Sequence, residues 1–67
     1  MPWDDEHYPA SMKHLPEFVR RKAIEIANAL LAEGLDEGRA IRIAIASARR
    51  WGERHRPDDQ DAWGWRG

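Results

Sequence analysis

The chain has 67 residues, no cysteine and a net charge of −1. A domain of that size buries only about 60% of the surface its unfolded form exposes, and without cysteine neither a disulfide nor a thiolate metal site can brace it. Helix packing, aromatic anchoring or a homodimer must then supply the stability.

The first residues, MPWDDEHYP, are acidic and contain no apolar run, so no signal peptide is expected. Nothing approaches the roughly 20 apolar residues that span a bilayer, and the apolar window from Ile41 to Ala48 is broken by Arg42 and Ser47. A soluble, cytoplasmic protein is expected, in keeping with the lack of cysteine. The charge is unevenly spread. Asp4, Asp5 and Glu6 make the start acidic, residues 12–56 hold ten Lys/Arg against six Asp/Glu, and Asp58, Asp59 and Asp61 outweigh Arg66 at the end. A basic middle between acidic ends can bind an anionic surface, or can quiet itself by folding its ends back.

Trp3 and Tyr8 sit among charges in a segment too short for a helix of its own. They predict an extended arm that docks on the helices. Pro9 permits a single helical turn over ASMKHL, residues 10–15, because proline suits a first helical position where no N–H is needed. Pro16 is expected to play the same part for the first long helix. In that helix Val19, Ala23, Ile24, Ile26, Ala27, Leu30 and Leu31 fall on one side, opposite Arg21, Lys22, Glu25 and Glu33. The apolar stripe is wider than a two-helix seam needs. A third element must cover part of it, and the arm is the nearest candidate. Asn28, at the border of the stripe, is expected to bond to the arm's backbone; binding a ligand is its lesser reading.

Gly34 should end this helix, since it takes positive φ without a Cβ clash. Asp36 suits the N-cap of the next helix, with Glu37 at the positive end of its dipole and Leu35 placed to staple onto Ala40. So short a linker implies an antiparallel or steeply crossed pair. In the second helix Ile41, Ala44, Ile45, Ala48 and Gly52 form the expected seam, small enough for close approach, with Ile43 off it beside Ala40 and Ser47. Arg39, Arg42, Arg49 and Arg50 share another arc, where Glu53 is the one acid. Arg54 and His55 favour the dipole's negative end, and Pro57 stops the helix. The expected fold is all-α: a small helical hairpin with a short leading helix and an N-terminal aromatic arm packed across it. Residues 1–57 form the single helical domain, and residues 58–67 an acidic C-terminal tail carrying Trp63 and Trp65.

No catalytic pattern stands out. Ser11 and Ser47 are the only aliphatic hydroxyls, and His7, His14 and His55 have neither i, i+4 spacing nor cysteine companions, so no enzyme, cofactor or metal is expected. His55 near Asp58 and Asp59 is the nearest approach to a metal site, and a solvated histidine is the plainer reading. Two candidates for binding a partner remain. Arg39, Arg42, Arg49 and Arg50 make either a solvated helix face or a contact for an acidic protein or nucleic-acid phosphate. Trp63 and Trp65 either fold back over the core or await a partner. Trp3, Tyr8, Phe18 and Trp51 read as core or core-edge, given the area they can bury.

MPW followed by YPASMKHLPEFVRRKAIEIANALLAEGLDEGRAIRIAIASARRW resembles the opening module of YdaT-like bacterial proteins, small and in some species associated with general stress. The likeness covers about residues 1–51, in the order arm, helix, EG turn, helix, tryptophan; relatives of that kind often continue into a further domain. There is a looser similarity to the ChaB family of cation-transport regulators. It lies in Met1-Pro2-Trp3, Leu15-Pro16, Trp51 and the acidic stretch Asp58 to Trp63, although the EGLDEG turn is shorter than in that family. Both resemblances imply a compact helical fold, and neither carries a catalytic motif onto these residues. The function expected is a non-catalytic interaction or regulatory module, stress-linked or ChaB-like, that binds another protein. The alternative is a nucleic-acid-binding protein using the arginine face.

Overall fold

The computed structural model describes residues 2–55. Two helices, α1 (Glu17–Ala32) and α2 (Glu37–Arg54), pack on each other and follow a 3-10 turn at Ala10–Met12. The described residues contain no strand, so the fold is the all-α hairpin that the periodicity predicts. The predicted boundary between residues 57 and 58, with Pro57, lies outside the described residues.

Pro16 is the N-cap of α1 rather than its first helical residue. Its ψ of 151° is extended, yet its carbonyl oxygen accepts from the Arg20 N–H at 2.8 Å. A proline side chain has no acceptor for the free N–H groups of the first turn; Glu17 there at least places negative charge at the dipole's positive end. At the other end the Gly34 N–H donates to the Leu31 carbonyl (3.0 Å) and the Leu35 N–H to that of Leu30 (3.1 Å). These two bonds make a Schellman motif, which needs a left-handed residue between them, and Gly34 supplies it with φ 105°. Asp36 then caps α2, its carboxylate accepting from the Arg39 N–H at 3.3 Å.

The helices are antiparallel: Val19, near the start of α1, lies against Gly52, near the end of α2. A Cβ on Gly52 would fall 2.7 Å from Val19 Cγ2. Ala40, Ala44, Ala48 and Gly52 are the buried residues of α2, one every fourth position, and they let the two backbones approach. This corrects the expected seam in one respect. Ala40 is fully buried rather than lying off the seam with Ile43, while Ile41 and Ile45 are only partly buried at its edge. The contact line is tilted toward the smallest side chains, because these permit the tightest packing.

The stripe of α1 that α2 leaves uncovered is closed by the segment that precedes it. Met12 is fully buried and Leu15 is 5% exposed, while Trp3 and Tyr8 of the arm pack on the same cluster partly buried. The expected arm therefore shares the part of third element with the 3-10 turn and with Leu15 just after it. The arm is not extended. It bends at Asp4, whose Oδ1 accepts from the N–H groups of Glu6 (2.9 Å) and His7 (2.8 Å). Asn28, buried in α1, fastens the arm at Trp3. Its Oδ1 accepts from the Trp3 N–H (3.3 Å) and its Nδ2 donates to the Trp3 carbonyl (3.0 Å), as expected from its place at the border of the stripe.

Candidate partner-binding face

With its alanine side turned inward, α2 presents the opposite side to solvent. Arg39, Arg42, Arg49 and Arg50 are all exposed, as are Ala46 and Glu53 among them. Ile43 is 42% exposed, and it neighbours Arg39 one turn along the helix. The arginines face outward because their arc is opposite the seam that burial selects. Among the described residues no ion pair engages any of the four; the four ion pairs found there join His7 to Asp4, Arg21 to Asp5 and Glu17, and Lys22 to Glu25. The face thus carries four arginines that no described carboxylate pairs with, beside an apolar side chain open to water. Ile43 was not among the residues singled out for binding; its signal in the sequence was a position off the seam with no neighbour to cover it. Trp63 and Trp65, the other candidates, lie outside the described residues.

The opposite flank holds two open grooves. One, of about 610 Å³, is lined by Glu17, Phe18, Arg21, Lys22, Glu25 and Trp51. Its charges are mutually satisfied: Arg21 Nη2 lies 3.1 Å from Glu17 and Lys22 Nζ 2.8 Å from Glu25. Trp51 is held between Phe18 (centroids 6.0 Å apart) and a stacked His55 (4.8 Å), with the Lys22 ammonium over its ring. The His55 ring is fixed by donation from Nδ1 to the Trp51 carbonyl at 2.8 Å. The other groove, of about 560 Å³, runs between Pro2 and the last turns of α1 and is lined by Asn28, Ala29, Leu31 and Ala32 besides Glu25. Neither groove sets a hydroxyl beside a histidine, the geometry that activates a nucleophile.

Among the described residues no group of three His, Asp or Glu side chains is placed to hold a metal ion, and no helix is long and apolar enough to cross a membrane. The acid–base chemistry of note is at Asp4. The Glu6 and His7 N–H groups hold its carboxyl below the ordinary carboxylate value, with smaller help from the His7 ring. Asp4 is exposed, and these bonds close the bend of the arm.

Fold and face together define a small all-α hairpin with a basic outer helix surface. The chain is 52% identical over 61 residues to the uncharacterized protein YdaT of Bacillus subtilis, a match that spans 91% of this chain. The resemblance to YdaT-like proteins read from the arm, the EG turn and the closing tryptophan is therefore real and extends over nearly the whole sequence. The match takes in 41% of the relative's length, so the chain corresponds to less than half of that protein. No family model and no solved structure matches the chain, and the looser likeness to the ChaB family gains no support from these comparisons.

Proposed function

We propose that the chain is a non-catalytic regulatory module that binds another protein through the outer face of α2. The observation that carries this reading is the set of four exposed arginines, without a described carboxylate partner, beside exposed Ile43. An acidic protein surface with an apolar residue near its centre would meet both features. Arginine combined with a buried apolar contact is the composition that protein interfaces favour. A nucleic-acid phosphate backbone would use the arginines but would leave Ile43 idle. Protein binding is therefore preferred to phosphate binding. The resemblance to YdaT-like proteins, in some species associated with general stress, adds a stress-linked setting.

Affinity capture from cell extract, run in parallel with the wild-type chain and an Arg42→Glu/Arg49→Glu variant, tests the reading. The expected result is a protein retained by the wild type and lost by the variant while both melt alike. Binding to random-sequence duplex DNA is the counter-test, because phosphate contacts weaken steeply and linearly with log salt. Tight, salt-sensitive DNA binding lost in the same variant would replace this reading with the nucleic-acid one.

A further inference from the structure

The arginine face is open in residues 2–55, and the chain itself supplies a complementary segment. Residues 56–67 come directly after the end of α2 and carry Asp58, Asp59, Asp61, Trp63 and Trp65. We propose that this segment turns back along α2 and docks on the outer face. Asp58, Asp59 and Asp61 then pair with Arg49 and Arg50, and the indole of Trp63 or Trp65 covers Ile43 between Arg39 and Arg42.

Three observations carry this. The first is charge: the acidic run is complementary in sign to four arginines that no described carboxylate engages. The second is reach. From Arg54 to Asp61 is seven residues, roughly 23 Å of extended chain, while the eleven residues from Arg54 back to Ile43 occupy roughly 17 Å of helix. The acids therefore reach Arg49 and Arg50 with slack, and Trp63 reaches Ile43. The third is chemistry: an indole between guanidinium groups gains both apolar contact and cation–π attraction, which an acid-only tail would not. The competing resting place, the groove at Trp51, has its charges already paired within itself and offers the acids no unmatched cation.

Docking of this kind makes the tail a tethered competitor for whatever acidic surface uses the face, with an effective concentration set by a short linker. The inference is independent of the proposed function, because the contact lies within one chain and is measured without a partner. The sequence has no cysteine, so Ala62→Cys gives a single site for a nitroxide label on the full chain. Backbone amide spectra are then recorded with the label oxidised and reduced. Docking predicts severalfold loss of signal at Arg42, Ile43 and Ala46 in the oxidised sample, reversed by high salt, which screens exposed pairs, and absent in Asp58→Asn/Asp59→Asn/Asp61→Asn. Loss confined to the last turn of α2, or centred on Phe18 and Lys22, would overturn the proposal. So would loss that appears only when labelled and isotope-enriched copies are mixed, since that would put the contact between molecules.

Discussion

At the scale of the residue, Asn28 and Asp4 do the most to set the path of the arm. Asn28 is one polar side chain in an otherwise apolar core. An amide satisfies a backbone N–H and a backbone C=O at once, and here both belong to Trp3. Asn28→Ala removes both partners and leaves the Trp3 groups half-buried and unpaired. The expected cost is about 1–3 kcal/mol, read as a fall in melting temperature, with the Trp3 amide exchanging freely with solvent; an unchanged melting curve would mean that the arm does not depend on this clasp. Asp4 acts through its charge as well as its shape. Its folded pKa is depressed, so its contribution is present above the ordinary carboxylate range and is lost as pH falls through the lower folded value. Asp4→Asn should therefore melt below the wild type at neutral pH, and the gap should close in acid. A gap that is constant with pH would assign Asp4 a purely geometric role.

At the scale of the element, glycine and alanine decide how the helices meet. Gly34 was legible in the sequence because a glycine after an apolar-periodic run has few other uses, and its φ of 105° bears this out. Asp36 was legible for the same reason, as a good capping residue placed where α2 begins. Ala40 was not, because a wheel centred on Ile41 weights the large side chains, whereas the contact line tracks the small ones. Gly52 is the point of closest approach, and a methyl there meets a stiff β-branched Val19. Gly52→Ala gains helix propensity of about 1 kcal/mol but forces an overpacking cost of about 1–3 kcal/mol. The expected outcome is a net loss of stability, which denaturant unfolding would register. Restoration by the double variant Gly52→Ala/Val19→Ala would confirm that the clash, and not the helix, is responsible. A more stable Gly52→Ala chain would show that the helices have room to separate.

At the scale of the whole molecule, the hairpin cannot close on itself. Its seam is built of alanine and glycine, which bring the backbones together but bury little area each, and the wide stripe on α1 needs a further cover. That need was legible in the sequence, and so was the share of it that Trp3 and Tyr8 meet; the share that Met12 meets was not. Met12 lies in a turn of three residues, too short to show any periodicity, so nothing in the pattern set it apart from an exposed methionine. The arginine face was legible because it is simply what remains when the small-residue side turns inward.

The outer side of α2 can be altered without touching Met12, Leu15 or Asn28, so variants of the arginines should change binding and leave the fold in place. The central claim is that the segment before α1 completes the core, and the thermal unfolding of Met12→Ala tests it most directly. Met12 is the one large side chain found fully buried among the described residues, and truncating such a residue costs about 2–5 kcal/mol, a large share of the roughly 5–15 kcal/mol that stabilises a typical domain. The account predicts a steep fall in melting temperature, about 4–8 °C for each kcal/mol lost in a domain of this size. A variant that melts with the wild type would contradict it, and would show the two helices to be stable without the turn.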